Sequence, residues 1–192
     1  MIIRRIGKGS YGEVWLGRSV TGALRAVKVV TRADFELDHT FEREFEGIKS
    51  FEKVSLKHPG LVNILHVGRN DKEGFYYYVM ELADDRSGGR DIDPEQYVPH
   101  TLSSEINKQG RLPMDRCAVW CEVLAGALHH MHCNGLAHRD VKPSNVVFCD
   151  GVPKLADMGL VAASGQKTFV GTEGFSPPEG PGEPAADIYS LG

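Results

Sequence analysis

Gly7-Lys8-Gly9-Ser10-Tyr11-Gly12 spaces three glycines so that a backbone hairpin can lie close over phosphate groups, with its N–H groups as donors. Dinucleotide-binding loops share this G-x-G-x-x-G spacing, but they require a helix directly afterwards, and many ordinary turns mimic it. Here Val14-Trp15-Leu16-Gly17 reads as a strand, so the loop joins two strands. A further strand carries Ala26-Val27-Lys28. Standing alone, Lys28 would be read as a solvated lysine. It is followed in order by His138-Arg139-Asp140-Val141-Lys142-Pro143-Ser144-Asn145, by Asp157-Met158-Gly159 and by Pro177-Pro178-Glu179.

These residues need a scaffold to position them. The first third is rich in β-branched residues at strand spacing: Ile2 to Ile6, Val14 to Arg18, Ala23 to Val30, Leu61 to Val67 and Phe75 to Leu82. Gly7 to Gly12, Thr21-Gly22 and Asn70 to Gly74 supply turns between them. Phe41 to Val54 repeats apolar residues at helical spacing (Phe41, Phe45, Ile48, Phe51), which predicts one helix packed on an antiparallel sheet. From Asp84 to His100 the composition turns to Gly, Asp, Pro and Arg without periodicity, predicting an irregular insertion. Thr101 to Gln109 and Asp115 to Asn134 read as helices. The second has an apolar stripe through Val119, Val123, Leu124, Ala127 and Leu128, and Asn134-Gly135 ends it. The expected architecture is α+β: a small β-rich lobe over residues 1–83, the insertion over 84–100, and a mainly helical lobe over 101–192.

Composition sets bounds on function. The chain has 192 residues, 41% hydrophobic and 25% charged, as in ordinary globular proteins. A net charge of −4 argues against a nucleic-acid binder, whose footprint is usually a basic face. No apolar run is long enough to span a bilayer, and no signal peptide precedes the glycine loop, so a cytoplasmic protein is expected. Cys117 and Cys121 lie four apart near His129, His130 and His132, but the spacing is not that of a zinc finger, knuckle or ribbon. Reduced thiols and a histidine cluster without metal are expected, with no disulfide.

In motif content, order and spacing the sequence resembles the eukaryotic-type protein kinases, from Ile2 to Gly192. The stretches around 41–68 and 76–85 are most similar to bacterial serine/threonine kinases. That resemblance implies a bilobal fold that uses ATP and Mg²⁺ and phosphorylates Ser or Thr hydroxyls of a protein substrate. It implies that Lys28 holds the α- and β-phosphates, oriented by a helix glutamate, Glu44, with Glu46 as the alternative. Asp140 would accept or orient the hydroxyl proton, and Lys142 would neutralise charge on the transferring group. Asn145 and Asp157 would hold magnesium. Ile6, Gly7, Lys8, Gly9, Ser10, Tyr11, Gly12, Glu13 and Val14 would cover the nucleotide. Met80 would stand behind the adenine, the Glu81 carbonyl and Ala83 amide would pair with its edge, and Val14, Ala26 and Val147 would sandwich the ring.

Lys142 and Thr172 match the serine/threonine pattern. Arg139 beside Asp140 implies a switch in which a phosphorylated loop residue pairs with arginine; Thr168 is the matching position and Ser164 the weaker one. Two departures stand out. Met158 replaces the usual phenylalanine and is expected to stack with His138, Ile48 and Ile64, and Pro177 replaces the usual alanine. Asp187-Ile188-Tyr189-Ser190-Leu191-Gly192 resembles the start of the helix that anchors the large lobe, with Asp187 bracing the backbone at His138-Arg139. A fragment of a longer domain is therefore expected, with the arginine partner of Glu179 lying beyond it. Two other readings are a pseudokinase that binds nucleotide as a scaffold, against which Lys28, Asp140, Asn145 and Asp157 speak, and a small-molecule kinase, disfavoured by the Gly171 to Glu179 segment.

Overall fold

The structure, a computed structural model, describes residues 1–9, 12–87, 89, 91–157, 162–163, 174–180 and 183–192. Five strands form one antiparallel sheet: β1 (Ile2–Lys8), β2 (Glu13–Arg18), β3 (Leu24–Thr31), β4 (Ile64–Asn70) and β5 (Phe75–Met80), in the order β1-β2-β3-β5-β4. The alternation along β3 turns Ala26, Lys28 and Val30 to the buried face, so a lysine occupies a slot that period two reserves for an apolar side chain. Helix α1 (Asp38–Ser55) packs on that face through Phe41, Ile48, Phe51 and Val54. Its first turn is fastened to the sheet by Glu42, which receives Arg69 at 2.6 Å and Arg32 at 2.8 Å. Those guanidinium groups also lie over the Phe45 and Phe41 rings at 4.8 and 4.7 Å. The fastening fixes the helix rotation and with it the inward direction of Glu44.

The rest of the chain is built on α2 (Leu102–Gln109) and α3 (Met114–Cys133). Thr101 starts α2 with a capping box, its hydroxyl accepting the Ser104 amide at 3.0 Å. Leu124, Ala127, Leu128 and Met131 of α3 join one core with Leu61, Leu155 and the α1 residues. Val119, expected in that stripe, is 59% exposed. Helical spacing carries the buried face on to Met131, and Val119 falls off it. Beyond α3 come β6 (Leu136–Ala137), the loop 138–145, β7 (Val146–Cys149) and β8 (Val152–Leu155). β9 (Ala162–Ala163) pairs with β6, and α4 (Pro184–Leu191) closes the described chain. This is the α+β bilobal architecture that the sequence predicted, with β4 shifted to begin at Ile64 and α1 begun at Asp38. No helix among the described residues is long and apolar enough to cross a membrane.

Asp187 of α4 fastens the 138–145 loop. Its side chain is 1% exposed, and its two oxygens accept the His138 amide at 2.8 Å, the Arg139 amide at 2.6 Å and the His132 ring at 2.8 Å. Burial alone would raise its pKa, but these donors outweigh burial and hold it below the usual carboxylate range. A depressed carboxylate stabilises the fold above its unfolded pKa, near 4, and that contribution is lost as pH falls through the folded value. Asp187→Ala is expected to cost about 3 kcal/mol at pH 7, because it orphans buried donors. Asp187→Asn should cost less and should flatten the acid limb of the stability profile. Urea titrations from pH 3 to 7 check both.

Candidate active site

Between the sheet and the helical region lies a cleft of about 350 Å³. Its apolar end is lined by Ile6, Val14, Ala26, Met80 and Val147, and its polar end by Lys28, Lys142, Asn145 and Asp157. Gly7, Lys8, Gly9, Glu81 and Ala83 also line it. The sequence had pointed to all of these residues. Gly12 and Glu13 do not line the cleft; Glu13 pairs outward with Arg5 at 2.6 Å. Gly12 acts through the backbone instead: its φ of +97° is the glycine region, and a Cβ there would overlap the Val29 carbonyl oxygen. Its carbonyl takes the Gly9 amide at 3.0 Å, which closes the hairpin. Ser10, Tyr11, Met158, Gly159, Ser164, Thr168, Gly171 and Thr172 lie outside the described residues.

At the polar end Lys28 is 2% exposed, and its ammonium is ion-paired to the Asp157 carboxylate. Burial pushes the Asp157 carboxyl up, but Lys28 outweighs it and holds the group below the usual carboxylate range. The expected Lys28–Glu44 ion pair does not form. Glu44 is 4% exposed, and its Oε2 has no hydrogen-bond partner among the described residues. Burial raises its pKa to about 8, with the nearby charges of Lys28 and Arg139 offsetting only part of that. The carboxylate already on Lys28 explains the difference: one buried ammonium needs one close anion, and Asp157 supplies it. Of the two glutamates weighed, Glu46 faces solvent and pairs with Lys49 at 2.8 Å.

Asp140 stands at the cleft's edge rather than in its lining. Its Oδ2 receives Lys142 Nζ at 2.8 Å and Asn145 Nδ2 at 2.8 Å, while Asn145 Nδ2 also donates to the Asp140 carbonyl at 2.9 Å. With its amide nitrogen so used, Asn145 keeps Oδ1 as a hard oxygen donor. His138 is fully buried; Nε2 donates to the Ala156 carbonyl at 3.1 Å and Nδ1 accepts the Asp140 amide at 3.4 Å. Arg139 and Asp157 both have positive φ, 69° and 61°. Such strain costs about 1–3 kcal/mol a residue and clusters where function dictates the backbone. At the other end the Glu81 side chain points away from the cleft, accepting Lys154 at 2.7 Å and the Asn63 amide at 2.7 Å.

A family model for the protein kinase domain matches residues 1–192. The chain belongs to the protein kinase domain family. It is 31% identical over 206 residues to CBL-interacting serine/threonine-protein kinase 9 of Arabidopsis thaliana, covering 98% of this chain and 41% of that one. It is 31% identical over 209 residues to serine/threonine-protein kinase PknA of Mycobacterium tuberculosis, covering 98% and 44%. It is 29% identical over 203 residues to a probable serine/threonine-protein kinase, PknB, of Lactococcus lactis, covering 100% and 30%. The chain thus spans less than half the length of these relatives.

Sequence reasoning missed Val62, Tyr97, Pro99, Thr101, Ser144 and Ala156 as cleft residues. Val62 and Ala156 flank motifs and gave no signal. Tyr97 and Pro99 come from the segment predicted to be irregular, where only a lone tyrosine marked them, and Thr101 comes from the start of a predicted helix.

The buried Glu44 makes stability fall with pH. In the unfolded chain it ionises near 4.5, whereas in the fold it holds its proton to about 8. The folded state therefore binds the extra proton between these values, and stability is lost as pH rises through that window. Glu44→Gln is expected to remove this decline, giving a flatter Tm from pH 5 to 8 than the wild type. Parallel profiles in differential scanning calorimetry would refute it.

Proposed function

We propose that this chain is the catalytic domain of a protein serine/threonine kinase that transfers the γ-phosphate of Mg-ATP to protein hydroxyls in the cytoplasm. The observation that carries the reading is the convergence of Lys28, Asp140, Lys142, Asn145 and Asp157 at one end of an otherwise apolar cleft. The cleft fits the nucleotide. A Cβ on Gly9 would sit 3.3 Å from Asp157 Oδ2 and 3.7 Å from Lys28 Nζ, so that glycine leaves room for phosphates over the two charges. The Glu81 carbonyl and Ala83 amide have no protein partner among the described residues, which leaves an acceptor and a donor for a purine edge. Asn145 Oδ1 and the Asp157 carboxylate are the hard oxygen ligands that suit magnesium. The four cysteines are free, in keeping with a reducing compartment.

In the proposed mechanism Lys28 holds the α- and β-phosphates, and Gly7 to Gly9 cover them with backbone amides. Asp140 takes the hydrogen bond of the incoming hydroxyl and then its proton, as the oxygen bonds to the γ-phosphorus, the bond from that phosphorus to the β-phosphate oxygen breaks and ADP leaves. Lys142, 2.8 Å from Asp140, places positive charge where the transferring group passes. Asn145 and Asp157 hold the metal, which when bound draws off negative charge from the phosphates. The loose transition state asks little base strength of Asp140, so its position matters more than its pKa. The Asn145 and Lys142 contacts supply that position.

Asp140→Asn is expected to cut turnover by roughly 10²–10⁴-fold while leaving the nucleotide dissociation constant within about two-fold, since Asp140 addresses the hydroxyl. Lys28→Met should lose turnover through misplaced phosphates. Radiolabelled ATP with a generic protein substrate, followed by phosphoamino-acid analysis, reads both variants and the serine/threonine preference. Near-native turnover of Asp140→Asn would remove the catalytic assignment. Label on tyrosine, or on no protein at all, would overturn the function.

A further inference from the structure

Among its described residues the segment 84–100 forms no helix or named strand, yet side chains pin it at both ends. The Asp84 carboxylate accepts the Asp150 amide at 3.0 Å and the Gly151 amide at 2.8 Å, which ties the segment's start to the turn between β7 and β8. The Asp85 carboxylate accepts the Ser87 amide at 2.8 Å and the Val98 amide at 2.8 Å, drawing the segment into a closed strap. From the sheet, Arg4 on β1 donates to the Pro94 carbonyl at 2.8 Å and to the Tyr97 carbonyl. The Tyr97 amide donates to the Asp93 carbonyl at 2.8 Å. Tyr97 is thus held on both sides, its ring is 2% exposed, and it lines the nucleotide cleft. Its phenol donates to the Ala83 carbonyl at 3.1 Å. Burial pushes the pKa of that phenol up, so the group stays a donor.

Three polar backbone groups therefore follow one another along this wall: the Glu81 carbonyl, the Ala83 amide and the Ala83 carbonyl. The first two are open, and the third is taken. A 6-aminopurine needs only the first two, because it presents an N–H at its 6-amino group, an acceptor at N1 and a bare C–H at C2. A 2-amino group would add a donor where the next acceptor is the Ala83 carbonyl. With the Tyr97 hydroxyl on that oxygen and its ring buried alongside, the 2-amino group would give up water without gaining a full partner.

We propose that Tyr97 is a specificity-determining residue of the nucleotide site, occupying the Ala83 carbonyl so that the wall recognises a purine by two contacts and gains nothing from a 2-amino group. The proposal rests on the nucleotide-binding reading above and goes beyond it.

The test measures dissociation constants of ATP and of 2-aminoadenosine triphosphate, both with magnesium, for the wild type, Tyr97→Phe and Arg4→Ala. The wild type is expected to bind the 2-amino nucleotide no more tightly than ATP. In Tyr97→Phe the preference for the 2-amino nucleotide should rise roughly five-fold, the worth of one neutral hydrogen bond. Arg4→Ala loosens the strap but keeps the phenol, and should hold the wild-type ratio. An unchanged ratio in Tyr97→Phe overturns the proposal. So does a shift produced equally by Arg4→Ala, since strap position and not the hydroxyl would then set the preference. Tighter binding of the 2-amino nucleotide by the wild type also overturns it, whether or not the variants fold. Binding of neither nucleotide by the wild type would overturn the functional reading itself, whereas ATP binding with an unshifted ratio would overturn only the role of Tyr97.

Discussion

A lysine on the inward face of a strand is the constraint around which this molecule is arranged. Lys28 sits between Ala26 and Val30, where β3 alternation calls for apolar side chains, and almost none of it reaches water. An isolated ammonium in such a place would cost several kcal/mol, so an anion must come to it. Asp157, two residues past β8, does so from far along the chain, which joins the end of that segment to β3. The ion pair is a poor route to stability, because a buried pair barely repays its desolvation. Its value lies in placing a cation and a carboxylate at one end of a cleft whose other walls are apolar.

The same economy of partners runs through the loop below. Asp187 fixes the His138 and Arg139 amides, His138 fixes the Asp140 amide and the Ala156 carbonyl, and Asn145 fixes the Asp140 side chain. The loop is thus held largely by a chain of short-range bonds. That chain supports the positive φ at Arg139 and Asp157, which an unsupported loop would relax. Precision at the site thus comes from hydrogen bonds, while the sheet and α3 supply only the rigid walls.

How much of this was legible in the sequence depends on the kind of force involved. Strands, helices and the stretch that departs from both were visible, because periodicity reports burial directly; Val119 went astray because helical spacing turns it away from the face that Leu124, Ala127, Leu128 and Met131 bury. The motif residues were visible because chemistry restricts their types. Which carboxylate would meet Lys28 was not, since Glu44 and Asp157 both feel its charge and only the folded arrangement decides which one pairs with it. The strap was illegible for a different reason. Asp84, Asp85 and Arg4 act there through main-chain groups, and a backbone carbonyl or amide leaves no mark on the residue type.

Glu44 shows what the arrangement holds in reserve. It is buried, one of its oxygens has no partner among the described residues, and burial raises its pKa to about 8. Any change that draws Asp157 away from Lys28 strips the ammonium of its anion and raises the demand for another. Glu44 feels the Lys28 charge, and an ammonium without its anion would favour the ionised form of that carboxyl, lowering its pKa and offsetting part of its desolvation cost. On the proposed reading Asp157 and Asn145 would hold the metal, and a cation there would compete with Lys28 for the Asp157 carboxylate. One ammonium thus interacts with two carboxyl groups, and the one paired with it is the one held below the usual carboxylate range.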